Sequence, residues 1–290
     1  MEPLIKVRGL TKSFCEGCGR CADSTGPDSD TNRCRHCGTV IACNDVNLDL
    51  YRDEALGIVG ESGSGKSTLV RLLHFEWEAS SGSFEFTRDA GLEHLPGLFT
   101  DGRAYSCNLL VLNTFQKRQI RNAIMGIVYQ NPHLGLRMQV SSGGNIAERL
   151  LGGGWRNIAS MRKRAADLLE RTEIPVERMD EPPSNFSGGM QQRVQIAKAL
   201  SNNPLILFLD EVTTGLDLSV QARVLDLIRT LRSEFRLSML VVSHDLGVIN
   251  LLCQRTMVMK YGRVVEEGLT DQILQDPQHR YTQLLVASQL

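Results

Sequence analysis

Gly60-Glu61-Ser62-Gly63-Ser64-Gly65-Lys66-Ser67 is the stretch on which the fold of this chain turns. It has the spacing G-x-x-x-x-G-K-[ST], in which glycines let the backbone wrap around phosphate oxygens and aim successive N–H groups inward. Lys66 then supplies a point charge for the β- and γ-phosphates, and Ser67 a hydroxyl for Mg²⁺. The flanks agree. Ala55-Leu56-Gly57-Ile58-Val59 reads as the strand that must precede such a loop, and Thr68-Leu69-Val70-Arg71-Leu72-Leu73 as the helix that must follow it. A plain glycine turn would require neither.

Working outward, two further apolar runs end in polar side chains. Leu205-Ile206-Leu207-Phe208-Leu209 stops at Asp210 and Glu211, and Met239-Leu240-Val241-Val242 stops at Ser243 and His244. Unbroken apolar strands belong in parallel sheets covered on both faces, and strands alternating with helices predict an α/β fold around such a sheet. Ligands gather at the carboxyl ends of those strands. Asp210 is therefore expected at Mg²⁺, Glu211 beside an attacking water and His244 at the same edge. Phosphoryl transfer asks for positioning and charge neutralisation more than covalent chemistry, which suits this set.

Leu4-Ile5-Lys6-Val7-Arg8 and Val46-Asn47-Leu48-Asp49-Leu50 alternate and predict half-buried strands. Residues 89–103 carry Gly, Pro and Asp without periodicity and read as a loop or hairpin. Residues 146–173 read as helical, with Ile158, Met161, Ala165, Leu168 and Leu169 on one face.

The chain has 290 residues, a net charge of −1 and a pI near 6.6, a balance unlike that of a strongly basic nucleic-acid binder. No apolar run approaches the ~20 residues that cross a bilayer. Met1-Glu2-Pro3 lacks the basic-then-apolar start of a secretion signal. A cytoplasmic protein is expected, reaching a membrane only through a partner.

Ser187-Gly188-Gly189-Met190-Gln191-Gln192, Gln130 and Gly215-Leu216-Asp217 complete an ordered set with the motifs above. Together they resemble the ATP-binding-cassette (ABC) ATPases over nearly the whole of residues 1–290. The resemblance implies an ABC nucleotide-binding domain of the phosphate-loop class, with an antiparallel β subdomain and a helical subdomain at residues 131–185. It implies ATP and Mg²⁺ as ligands and Mg-dependent ATP hydrolysis. Residues 60–68 would cradle the phosphates, and Phe14 would stack on adenine. Ser67, Gln130 and Asp210 would serve the Mg²⁺. Catalysis would fall to Lys66, Gln130, Glu211 and His244. Ser187, Gly188 and Gly189 would meet nucleotide held by a second ATPase unit in a head-to-tail pair, and Asp217 would also bind nucleotide. One position departs from the pattern: Val212 stands where the family usually has proline, which restores a backbone N–H and puts the aim of Glu211 in question.

Within that family, residues 130–150, Val220-Gln221-Ala222-Arg223 and the tail through Tyr281-Thr282-Gln283-Leu284-Leu285 resemble the ATPase subunits of carbon–phosphorus lyase complexes in phosphonate catabolism. That resemblance implies a soluble enzyme core as partner. ATPases of di- and oligopeptide importers share the Asp276-Pro277 to Tyr281-Thr282 tail but usually continue well past the point where this chain stops, and they imply a membrane permease instead. A third reading is a metal-binding module whose assembly ATP controls.

Six of the eight cysteines lie in residues 15–43. Cys15-x2-Cys18-Gly and Cys34-x2-Cys37-Gly form two knuckles with fifteen residues between them, the spacing of a tetrathiolate zinc ribbon. Cys21 and Cys43 are alternates. An iron–sulfur cluster and unmetallated thiols stay open beside zinc. The stretch has too little apolar surface to order itself, so metal would supply its folding energy. Cys107 and Cys253 stand alone among apolar neighbours and are expected in the core.

Overall fold

The computed structural model describes residues 2–87 and 108–288. In chain order the strands are β1 (Ile5–Ser13), β2 (Ile41–Leu50), β3 (Ala55–Val59), β4 (Ser81–Phe86), β5 (Met125–Val128), β6 (Ile206–Asp210), β7 (Ser238–Val242), β8 (Arg255–Lys260) and β9 (Arg263–Leu269). The helices are α1 (Lys66–Leu73), α2 (Thr114–Ile124), α3 (Pro132–Gly135), α4 (Ser142–Gly152) and α5 (Ile158–Arg171). They continue with α6 (Gly188–Leu200), α7 (Leu218–Phe235), α8 (Leu246–Leu252), α9 (Thr270–Gln275) and α10 (Arg280–Ala287). The chain divides into two compact units, Met1–Lys117 with Leu240–Leu290, and Arg118–Met239.

In the first unit, β1 is flanked by β2 and β4 in an antiparallel sheet. Ile5 pairs with Leu50 and Val7 with Leu48, so the alternating apolar positions of both strands face one core. β2 starts at Ile41, five residues before the alternation expected from Val46, because the end of the cysteine-rich segment is already paired with β1 at Lys12 and Ser13. β3 pairs parallel with β8, and β8 pairs antiparallel with β9, so the expected parallel sheet carries an antiparallel edge. Every residue of β3 is buried, which is why it reads as apolar throughout rather than alternating. Gly57 is needed there: a Cβ would meet the Ile249 side chain of α8.

In the second unit, β5 and β6 pair parallel, and Gly126 of β5 lies against the Ala199 carbonyl of α6. The helical stretch expected over residues 146–173 is two helices. Gly152-Gly153-Gly154 ends α4, and Asn157 caps α5 by accepting from Ser160 N–H. α5 buries Met161, Ala165, Leu168 and Leu169 as expected, but Ile158 is 78% exposed. It is the first residue of the helix, where the chain has not yet turned its apolar face inward.

The loop expected at residues 89–103 and Cys107 lie outside the described residues. Cys253 is buried. Among the described residues no helix is long and apolar enough to cross a membrane.

Candidate nucleotide site and cysteine centre

The phosphate-loop sequence joins β3 to α1 in the first unit. Gly60 has φ 149° and Gly65 φ 108°; a Cβ at either would run into a backbone carbonyl, that of Met259 and that of Ala42 respectively. Gly63 is also left-handed, at φ 82°. Gly65 is the N-cap of α1 and brings no side-chain oxygen to it, so the helix opens with its dipole and N–H groups directed at the loop. Lys66 is buried, and its Nζ donates to the carbonyls of Gly60 (2.7 Å) and Glu61 (2.9 Å) and lies 3.5 Å from Ser64 Oγ. A buried cation inside a ring of left-handed glycines, at a helix N-terminus, fits a polyphosphate. Ser67 and Thr68 are half-buried on the first turn of α1, while Glu61 and Ser62 are exposed.

Contacts that the motif does not announce also hold the outside of this loop. Glu61 N–H donates to the Tyr281 hydroxyl of α10 at 2.9 Å, and Gly262 N–H donates to the Ser64 carbonyl at 2.8 Å. His244 is exposed directly after Ser243, whose N–H donates to the Ile58 carbonyl of β3, so His244 stands at the loop end of that strand. Phe14 ends the stretch Leu10-Thr11-Lys12-Ser13-Phe14 and is 49% exposed, edge-on to Trp77 with ring centroids 5.5 Å apart. It presents an aromatic face at the surface rather than filling the core. Trp77, its neighbour, was not visible as part of the site in sequence.

In the second unit, Asp210 ends β6 and is buried. Glu211 has φ 50°, in the left-handed region, and its carboxylate accepts from Thr214 Oγ1 at 3.4 Å. Val212 is buried, so the position where the family has proline serves here as a core anchor beside the left-handed backbone of Glu211. Gln130 is exposed just past β5. Its neighbour Tyr129 is clamped by α6: Tyr129 N–H donates to Gln195 Oε1 (2.6 Å), and Gln195 Nε2 and Gln192 Nε2 donate to the Tyr129 carbonyl. Gln195 is fully buried and carries no motif of its own beyond lying one turn after Gln191-Gln192.

Ser187 caps α6 by accepting from Met190 N–H, leaving Ser187 and Gly188 exposed and Gly189 buried. Gly189 lies against Val220 of α7, too close for a Cβ, and Gly188 faces Leu216. The glycines therefore let the start of α6 meet the start of α7, where Asp217 caps by accepting from Ser219 N–H and Val220 N–H. The Ser219 hydroxyl, first among these partners, holds the Asp217 carboxyl below the usual range. The sequence-predicted Ser187, Gly188, Gly189 and Asp217 are thus neighbours.

The cysteine centre corrects the expected ligand set. The sulfurs that gather are those of Cys18, Cys21, Cys34 and Cys37, all within 4.8 Å of one another. Cys15 is exposed and outside the cluster, and Cys43 is buried at the start of the sheet, its Sγ 3.8 Å from the Gly65 carbonyl. The reason is local. Phe14 N–H still pairs with the Val40 carbonyl, so Cys15 leaves at the end of β1, and the first tight turn closes later, with Cys21 N–H donating to the Cys18 carbonyl. The matching turn closes through Gly38 N–H and the Cys34 carbonyl. The true knuckles are Cys18-x2-Cys21 and Cys34-x2-Cys37, with twelve residues between them.

Sulfur–sulfur separations are 3.7 Å for Cys18–Cys21 and Cys18–Cys34 and 3.3 Å for Cys21–Cys37. Zinc–thiolate bonds of about 2.3 Å in a tetrahedron put the sulfurs about 3.8 Å apart, so the donors fit a tetrathiolate centre. The Ser24 hydroxyl lowers Cys34 to about 7, and the Thr39 hydroxyl lowers Cys37 to about 6. Cys21 accepts from Cys18 N–H, which lowers it, but burial and the neighbouring thiols push it up to about 12. Apart from the sulfurs, the segment's core is little more than Ile41.

The sequence profile of the ABC transporter family matches residues 43–214. The chain belongs to that family. This ABC protein is 46% identical to the ATP-binding protein PhnK of Escherichia coli (strain K12), named for phosphonates utilization, over all of this chain and 98% of that one. It is 40% identical to an ATP-binding protein of Brucella abortus (strain 2308) named for peptide import, over 87% of this chain and 72% of that one. The dimeric post-hydrolysis structure of the ATP-binding cassette MJ0796, bound to ADP and Pi, superposes with a TM-score of 0.72. That match has 26% identity and covers 92% of this chain and 98% of that one. The protein is an ATPase, and ATP with Mg²⁺ is its substrate. The similarity to a dimeric cassette argues for a second ATPase unit as partner.

Proposed function

We propose that this ATPase works as a head-to-tail pair serving a phosphonate-degrading carbon–phosphorus lyase complex. The observation that carries the proposal is the 46% identity to the Escherichia coli phosphonates-utilization protein along the whole chain. The peptide-import relative matches at lower identity and over less of either chain, and it supports the second reading, the motor of an importer docked on a permease. Affinity purification of the tagged chain from its native cells, with identification of the bound subunits, separates them. Lyase core subunits support the proposal; an integral-membrane permease in their place overturns it.

Each residue has a role in this reading. Phe14 stacks on adenine, residues 60–68 wrap the phosphates, and Lys66 neutralises the β/γ-phosphate charge as it builds. Ser67, Asp210 and Gln130 would hold the Mg²⁺, which when bound would supply positive charge against the phosphates. Glu211 takes the proton from the attacking water, with Thr214 holding one carboxylate oxygen, and His244 orients toward the γ-phosphate. Ser187, Gly188, Gly189 and Asp217 close over the partner's nucleotide, and residues 131–185 form the helical subdomain. Residues 15–43 form an insert that Cys18, Cys21, Cys34 and Cys37 hold around zinc.

A further inference from the structure

The cysteine insert touches the phosphate loop. Asn32 lies between the two knuckles, and its Nδ2 donates to the Gly63 carbonyl at 3.2 Å. Asn32 is not loose: its own carbonyl accepts from Ile41 N–H at 2.8 Å, and Cys34, two residues on, is bound into the sulfur cluster. Two more links hold the insert to the strands beside the loop. Asp30 pairs with Lys260 at the end of β8 (2.9 Å), and Arg263 of β9 donates to the Ala22 carbonyl (3.2 Å). The turn between those strands in turn holds Ser64 through Gly262 N–H.

Gly63 has a left-handed φ and is exposed, and N–H groups can converge on phosphate at that point only while the Gly63 carbonyl stays turned away from it. A donor from outside that fixes one carbonyl lowers the cost of ordering the loop around its ligand. We infer that Asn32 is a positioning residue for the phosphate loop, delivered to Gly63 by the metal-held insert. The inference rests on the zinc reading only for how Asn32 is held, not for the contact itself. Because the bond reaches backbone below the phosphates, its effect follows the triphosphate and not the base.

A double-mutant cycle on the full-length protein tests this. Asn32→Ala is combined with Cys34→Ser/Cys37→Ser, and MgATP and MgGTP binding, kcat and bound zinc are measured in each. Asn32→Ala is expected to weaken both nucleotides about three- to tenfold, the worth of one hydrogen bond, with zinc content unchanged and KM raised more than kcat is lowered. The cysteine variant should show a similar loss, and adding Asn32→Ala to it should cost nothing more. Wild-type affinity in Asn32→Ala, or a full additional loss in the combined variant, overturns the inference. A loss confined to ATP would assign the effect to the adenine side and overturn it as well. Absence of zinc from the wild-type protein defeats the zinc reading alone, since the effect of Asn32→Ala is read independently of it.

Discussion

Lys66 Nζ and the Gly60 carbonyl, six residues apart in sequence, are 2.7 Å apart, so the loop closes on its own cation. The lysine stem is buried, and the charge sits where the left-handed glycines turn the backbone inward. A positive charge held at that point serves as a structural pin for the loop and as the counter-charge for phosphate oxygens.

Lys66→Ala is accordingly expected to weaken MgATP binding about ten- to a hundredfold, the range for losing a charge-assisted hydrogen bond. Equilibrium titration with a fluorescent ATP analogue measures it. Near-wild-type affinity in the variant would remove the loop from nucleotide binding altogether.

Glu211→Gln keeps the shape of the side chain and its reach to Thr214 but not its basicity. ATP binding should persist while turnover falls by about a hundredfold or more, the usual worth of a general base. The ATP-loaded pair should then accumulate, visible on gel filtration with ATP and Mg²⁺ as a shift toward dimer. Normal turnover would show that another group accepts the proton.

The nucleotide motifs were legible because their chemistry is local. Gly60 to Ser67 needs no distant partner to be recognised, and apolar runs that stop at Asp210 and at His244 mark strand ends by themselves. What sequence concealed depends on where the backbone turns. Cys15-x2-Cys18 and Cys18-x2-Cys21 have the same spacing, and only the pairing of Phe14 N–H with the Val40 carbonyl takes Cys15 out of the cluster. Tyr281 and Asn32 act on the loops through single hydrogen bonds and Gln195 through a pair, across long stretches of chain, and no periodicity encodes such bonds. Glu211 in the left-handed region was foreshadowed only by Val212 in place of proline.

Ser187 is exposed at the start of α6, where nothing within its own unit requires its hydroxyl beyond the cap to Met190. Ser187→Arg should fold, since the side chain points outward, and should inactivate by blocking the nucleotide of the opposite subunit. In an equimolar mixture with wild type, random pairing leaves about a quarter of dimers fully intact and about half with one blocked site; if the two sites must close together, activity should fall below one half and toward a quarter. Steady-state ATPase of the mixture reads it. A value at one half would mean that one blocked site does not disable its pair, and would remove the requirement that both sites close together.

The four-sulfur centre makes the last prediction, and Cys15 is its internal control. One zinc per chain is expected by elemental analysis, held by Cys18, Cys21, Cys34 and Cys37. Cys15→Ser should retain it in full, because Cys15 is exposed and outside the cluster. Cys34→Ser should lose most of it, because Cys34 is buried among the other sulfurs and the segment has almost no apolar core to hold its shape without metal. Hydrogen exchange should then rise across residues 15–40 while β3 and β8 stay protected, since their burial does not depend on the insert. Iron with labile sulfide in the wild-type protein would replace zinc by a cluster. Loss of metal from Cys15→Ser with retention in Cys21→Ser would show that the first knuckle begins at Cys15 after all.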